Sequence, residues 1–454
     1  MPRSLLPPLL ASLGLVAATA LLAPGCGGGQ TRGYTFDPDW RDDSGAAMAA
    51  FQKSFDDILI PLGADFAVGV TDKGLLLGTK LDGPTEPWTF RHDLDGRPAL
   101  AGTVVVGLGG GELFALEGRT GKLLWKRNAG GALRGIGDDG ATTVISLAQT
   151  AGTLSTVLAV SHSGQVIRQL EDAAPIGVPA VQGGYAFLPW RGHFVTVQEL
   201  STGNELARLR LPGATSRVVT VGGALFFGED GLTRFDDRLR LTAKHEASTF
   251  HLPQRDLPGA PRWLDPGTDP LPLSATPLDT IRLYARPRAR GPITFEDGRY
   301  FATYHRIAIG LESISGRLAW SHAHDADLLG GAAFPGGFAL CDAAGRIDFL
   351  DAESGAVVAR GALGREVVSC AVQIDGLRLA HKPRSQSLAE QLRTTLLLQG
   401  NDLAPMQKHL LKELLKIDDP LVEDTLRELA TSDRVSSELS RAAQIARAGR
   451  AGTP

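Results

Sequence analysis

The sequence predicts a mainly β protein, a β-propeller of four-stranded blades followed by a small α-helical domain. Three observations predict it: a repeat of about 40 residues, alternating strands around a glycine turn in each repeat, and a change to helical periodicity after Ser385. With 454 residues, 43% hydrophobic and 21% charged, the chain can bury one large core and a smaller one. The formal net charge is −4 and there is no long run of Lys or Arg, so the electrostatic footprint that phosphate backbones require is missing and nucleic acid is excluded as a partner. The 55 glycines and 27 prolines are scattered and not spaced in threes, which fits many tight turns between short strands.

The first residues read as an address. Arg3 supplies a positive start, Leu5 to Leu22 is apolar, and LLAPGC follows, with Gly25 directly before Cys26. Pro7, Pro8 and Pro24 and the run Gly27, Gly28, Gly29 argue against a membrane-spanning helix, which needs about 20 continuous apolar residues. The run resembles a bacterial lipoprotein signal, with an ordinary secretory signal as the alternative. That resemblance implies a signal peptide over 1–25, lipid modification of Cys26, and a membrane anchor in the bacterial cell envelope, at the outer membrane facing the periplasm. Residues 26–56 then read as a lipidated N-terminus and tether. Asp37, Asp39, Asp42 and Asp43 cluster there, but without the Gly and distal Glu of a calcium loop.

Four segments align: ELFALEGRTGKLLWKR, HFVTVQELSTGNELARL, RIAIGLESISGRLAWSH and RIDFLDAESGAVVARG. Their turn glycines are Gly121, Gly203, Gly316 and Gly355, and weaker copies place Gly83 and Gly164 on the same grid. The turn needs a residue comfortable at positive φ, and the flanking strands bury both faces only if neighbouring sheets stack around a ring. Trp125 and Trp320 follow their glycines by four residues and Trp88 follows Gly83 by five, so these rings are expected to pack between blades. Residues 57–382 are read as seven blades, with eight as the alternative. A degenerate copy, GLTRFDDRLRLTAK, supplies one of them, and a Pro-rich insertion lies near 246–288, where eight prolines rule out central strands. EVVSCAVQIDGLRLA is expected to close the ring against the N-terminal unit.

The pattern of a strand followed by D/E-x-x-[ST]-G-[KRN]-x-[LV]-x-W resembles the pyrroloquinoline-quinone-like (PQQ-like) propeller repeat, strongly at two copies and weakly elsewhere. Two groups carry that repeat: quinone-dependent dehydrogenases, and non-enzymatic lipoproteins such as the propeller subunit of the outer-membrane β-barrel assembly machinery. The dehydrogenases have an adjacent Cys-Cys pair near the cofactor, and no such pair occurs here. The resemblance therefore implies a propeller without a cofactor that binds envelope proteins. Cys341 in FALCD and Cys370 in VVSCAV lie in successive units, in a compartment where thiols oxidise. Facing strands can meet the separation a disulfide needs, which would stabilise by roughly 3 kcal/mol; the alternative is two buried thiols.

From Ser385, Leu388, Leu392, Leu396 and Leu397 mark one amphipathic helix, and Met406, Leu410, Leu411 and Leu414 a second. Asp419-Pro420 opens a third, with proline at its first position, and a fourth runs from about Ser436 to Ala448. This domain, 383–449 with a tail at 450–454, resembles a short HEAT-type array and is read as a bundle packed on the propeller rim, with a partner-binding surface as the alternative. Candidate chemistry fails on context. Gly107, Gly109, Gly110 and Gly111 join two strands and do not open a helix, so they make a hairpin and not a dinucleotide site. His322 and His324 share a strand face beside Asp325, with no third histidine near in sequence, and are read as a solvated outer strand. Ser161-His162-Ser163 lacks a nucleophile elbow. The expectation is a membrane-tethered, non-catalytic scaffold with no catalytic, cofactor or metal residues. A barrel-assembly accessory lipoprotein, and a quinone-dependent dehydrogenase or small-ligand sensor using the funnel, are the alternatives.

Overall fold

Strands that alternate or run apolar cannot rest in water alone, and here each repeat pairs its strands into an antiparallel sheet. A computed structural model describes residues 35–36, 64–96, 98–149, 154–210, 214–221, 224–228, 232–234, 240–241, 282–284, 299–312, 315, 317–374 and 376–451. These residues form seven sheets. Blade 2 is typical, with Ala99–Ala101, Val104–Gly109, Glu112–Glu117 and Leu123–Asn128 joined in sequence order from the inside outward. Blades 3 (132–172), 4 (180–210), 5 (217–241), 6 (282–323) and 7 (328–362) repeat that order.

Burial follows position in the blade. In blade 3, Thr142–Ala148 is buried throughout because a neighbouring blade covers each face, whereas the outermost strand, Val166–Asp172, is mostly exposed or half-buried. Blade 1 breaks the sequence order and thereby closes the ring. Its innermost strand is Ser369–Gln373, which pairs antiparallel with Phe66–Val70, matching Phe66 with Gln373 and Val70 with Ser369. The Asp65 carboxylate accepts from the backbone N–H groups of Gly376 and Leu377 at 3.0 and 3.2 Å, a clamp between the two ends of the propeller. Cys341, in the second strand of blade 7, and Cys370, in the closing strand, are joined by a disulfide with Cα atoms 6.2 Å apart.

Two segments differ from the sequence reading. Arg282–Tyr284 falls inside the stretch assigned to the Pro-rich insertion, yet pairs with Arg299–Tyr304 as the innermost strand of blade 6. The run DTIRLYAR is free of proline between Pro277 and Pro287, so it can pair. The remainder of 246–288 lies outside the described residues. Thr35–Phe36, in the segment read as a tether, adds a fifth strand to blade 4 by pairing with Leu209 and Arg210, whose outer edge has free backbone groups to offer.

Four helices follow: α1 (Leu388–Leu396), α2 (Ala404–Leu414), α3 (Leu421–Thr431) and α4 (Ser437–Ala451). A capping box starts α1, with Ser387 accepting from the Glu390 N–H and the Glu390 carboxylate accepting from the Ser387 N–H. Pro420 already has helical φ −55° and ψ −30° and leads into α3 as expected, its missing N–H costing nothing, and the Asp419 carboxylate accepts from the Leu421 N–H at 2.8 Å. Leu392, Leu396, Met406, Leu410, Leu426 and Leu429 share one core with Ile307, Ile309, Leu311 and Leu318 of blade 6. The helical domain is therefore continuous with the propeller core. Polar contacts fix its register: the Ser321 and Thr395 hydroxyls lie 3.0 Å apart, Gln391 Nε2 donates to the Ser354 carbonyl at 3.0 Å, and Arg384 Nη2 donates to the Ala319 carbonyl at 2.7 Å.

Because the disulfide crosses from blade 7 to the strand that closes blade 1, the Cys341→Ala/Cys370→Ala double variant should lose roughly 3 kcal/mol of stability in urea unfolding. A midpoint equal to wild type under oxidising conditions would contradict that role for the bridge.

Candidate functional site

The turn glycines and tryptophans form a repeated docking device. Gly121, Gly164, Gly203 and Gly355 all have φ between 68° and 87°, the left-handed region that disfavours side chains. Trp88, in the outermost strand of blade 1, lies against the turn of blade 2: a Cβ on Gly121 would stand 2.5 Å from its ring, and its Nε1 donates to the Gly118 carbonyl at 3.0 Å. Trp320 of blade 6 repeats this on blade 7, with Gly355 beneath the ring and Nε1 donating to the Ala352 carbonyl at 2.9 Å. Trp125 of blade 2 approaches Gly164 of blade 3 less closely, a Cβ there standing 3.0 Å from the Trp125 Cβ and 3.8 Å from its ring, and among the described residues its buried Nε1 has no hydrogen-bond partner. Each ring needs a small residue behind it in its own sheet, and the register places Gly78, Ala115 and Gly310 opposite Trp88, Trp125 and Trp320.

Sequence reasoning missed the fourth member of the series. Arg168 follows Gly164 by the same four residues and docks on blade 4, donating to the carbonyls of Leu200 at 3.2 Å and Ser201 at 2.7 Å, with its guanidinium over Gly203. The fixed offset from the turn glycine was the signal that could have found it. Gly83 has open space where a Cβ would be and is not among the glycines at positive φ, so it takes no part in the device. Gly316 and Cys26 lie outside the described residues. Gly107 and Gly109 sit within strand Val104–Gly109, and Gly110 and Gly111 turn the hairpin at φ 56° and 79°.

Ser161-His162-Ser163 sits at a hairpin of blade 3, and its histidine belongs to a clamp between blades. Asp138, its side chain fully buried, accepts from the N–H and hydroxyl of Thr103 in blade 2, both at 3.0 Å, from Thr143 Oγ1 at 3.0 Å, and pairs with His162 Nε2 at 2.7 Å. Burial pushes the His162 pKa down, but the hydrogen bond and charge of Asp138 outweigh it and raise it above the ordinary 6.5.

The sequence reading of His322 and His324 as a solvated outer strand is corrected. The strand Leu318–Ala323 is the outermost of blade 6, but α1 and blade 7 cover it, and His324 is only 4% exposed. His324 Nδ1 faces the buried Asp342 carboxylate at 3.7 Å and its Nε2 faces Asp348 at 3.6 Å, with the His322 ring centroid 5.0 Å away. Among the described residues that Nε2 is buried without a hydrogen bond, a state that costs about 1–3 kcal/mol. Arg346 holds Asp342 with its backbone N–H and Nε at 2.9 and 2.8 Å. Burial, with the charges of His324 and Arg360, pushes His322 down to about 4 and keeps it neutral. His322, Arg360, Lys382 and Gln391 also line a cavity of about 610 Å³ between blades 6 and 7 and α1. The nitrogens of His322 and His324 and an oxygen of Asp348 lie within 4.8 Å of one another, as do ligand atoms of His305, Asp327 and Asp402 in a second, more exposed group.

Comparison with known proteins bears on residues 79–175, from the third strand of blade 1 to the end of blade 3: they match the family model described as outer membrane protein assembly factor BamB. None of the curated proteins matches the chain. Among solved structures, BamB from Moraxella catarrhalis is 12% identical, with 71% of this chain and 95% of that one covered and a TM-score of 0.36. Apo AztD from Citrobacter koseri is 14% identical over 68% and 97%, with a TM-score of 0.42. The dihydro-heme d1 dehydrogenase NirN is 10% identical over 67% and 65%, with a TM-score of 0.38.

Two outcomes follow from the interblade contacts. Trp320→Ala, which opens a cavity at a fully buried ring, should cost roughly 3–5 kcal/mol in chemical unfolding; a cost below 1 kcal/mol would show the ring is not a blade lock. Since folding raises the His162 pKa, its stabilisation is complete below the ordinary value and fades as pH rises through the raised one. His162→Gln should therefore cost about 1–2 kcal/mol at pH 5.5 and less at pH 8.5; a cost independent of pH would contradict the charged pair. Built on these docked repeats, the chain carries a PQQ-like propeller that resembles BamB.

Proposed function

We propose that this protein is a membrane-tethered, non-catalytic propeller scaffold that binds protein partners in the bacterial cell envelope. The match of residues 79–175 to an outer-membrane assembly factor carries the reading. Support comes from the surface of those same blades: Leu123, on the outermost strand of blade 2, and Val166 and Ile167, on that of blade 3, are 40%, 37% and 36% exposed. Apolar side chains on outer strands, beside edges whose backbone groups are open to pairing, suit a protein contact. The anchor is Cys26, placed by the lipoprotein-like signal before it, with the protein facing the periplasm from the outer membrane. Among the described residues no helix is long and apolar enough to cross a membrane. Assisting the assembly of outer-membrane β-barrels is the specific form of this function that the family match favours.

A crosslinked pull-down of the tagged full chain from envelope fractions tests the proposal. Barrel-assembly components or another fixed envelope complex should be enriched, and that enrichment should fall severalfold in Cys26→Ala and in Val166→Glu/Ile167→Glu. Recovery of no envelope protein above an untagged control would overturn it.

A further inference from the structure

Blade 7 brings an aspartate to two histidines that are neighbours in the sequence of blade 6. His322 and His324, two residues apart at the end of the outermost strand of blade 6, direct their rings to the same side, and Asp348 meets them from the third strand of blade 7. Their two nitrogens and one oxygen converge within 4.8 Å. A tetrahedral ion with bonds of about 2.0–2.2 Å separates its ligands by about 3.3–3.6 Å, so closing this group requires side-chain movement of about an ångström.

Two features mark it as more than a chance cluster. His324 Nε2 is buried, lacks a hydrogen bond, and is aimed at Asp348 and His322. On the opposite side of that ring, Nδ1 faces Asp342 at 3.7 Å, and Asp342 is itself held by Arg346 at 2.8 Å. A carboxylate behind the far nitrogen of an imidazole is the arrangement that sets a metal-binding histidine's tautomer and orientation. Imidazole nitrogens select transition metals over calcium and magnesium, which prefer oxygen ligands alone. His322 borders the cavity beside α1, which leaves room for water to complete the coordination.

We propose that His322, His324 and Asp348 bind one divalent transition metal ion of the zinc class, with Asp342 positioning His324. The ion joins blade 6 to blade 7 beneath α1. The site stands independently of the scaffold function.

The full chain, stripped with a chelator, is titrated with Zn²⁺ alone and followed by calorimetry and thermal melting. One equivalent should bind and raise the melting temperature. His322→Gln and Asp348→Asn should each weaken binding at least tenfold with unchanged circular dichroism, while Asp402→Asn, in the second group, should leave it unchanged. Zinc-edge X-ray absorption on the wild type should show two imidazole ligands, and it decides the matter if a variant fails to fold. Absence of saturable binding, affinity unchanged in both variants, or a spectrum without two imidazoles would overturn the proposal.

Discussion

A four-stranded sheet has two apolar faces and no means of covering either by itself, and everything else in this propeller depends on how the circle of sheets is closed. Closure here is a backbone event: Phe66–Val70 finds the innermost partner of its own blade some 300 residues later, in Ser369–Gln373. The seam is reinforced in three independent ways, by the strand pairing, by the Asp65 clamp on Gly376 and Leu377, and by the Cys341–Cys370 bridge to blade 7. The covalent link itself closes a short loop, its cysteines 29 residues apart, and ties the closing strand to blade 7, while the contact between the distant ends of the propeller is made by backbone hydrogen bonds.

Away from the seam, neighbouring blades are held by one device with interchangeable chemistry. A ring or guanidinium on an outermost strand lies on the next blade's turn, over a glycine whose missing Cβ leaves the space. Trp88 and Trp320 use a large apolar surface and one indole hydrogen bond, while Arg168 uses two hydrogen bonds to carbonyls and a flat charged group. All three place a planar group carrying N–H donors where unpaired turn carbonyls need them. The buried Asp138, which takes both donors of Thr103 from the preceding blade, adds an inner lock to the outer one.

The helical domain changes the character of blades 6 and 7. Elsewhere, as in Val166–Asp172, an outermost strand faces solvent, but the strand Leu318–Ala323 is covered by α1 and shares its apolar core. That cover turns what would be an exposed pair of histidines into an enclosed group with Asp342 and Asp348, and supplies a wall of the adjoining cavity. Blades 2 and 3, by contrast, keep their outer apolar residues exposed, within the segment that matches an assembly factor. The outermost strand of blade 6 is thus covered, while those of blades 2 and 3 remain exposed.

The repeat, the turn glycines Gly121, Gly164, Gly203 and Gly355, the closing strand and the four helices were legible in the sequence because each rests on local rules: period 2 against period 3.6, positive φ at a turn, a cap before a helix. The offset of four from Gly121 to Trp125 made the docking residues visible, and the same offset identifies Arg168 once residue type is set aside. Where local pattern alone was used it misjudged: the prolines around Arg282–Tyr284 hid a strand, and the alternation of His322 and His324 suggested exposure. Both depend on what lies across from the segment, a partner strand in one case and α1 with blade 7 in the other. By itself the sequence determined that sheets of this kind must form and follow one another; only the tertiary structure decided which faces are covered, because burial is set by residues distant along the chain.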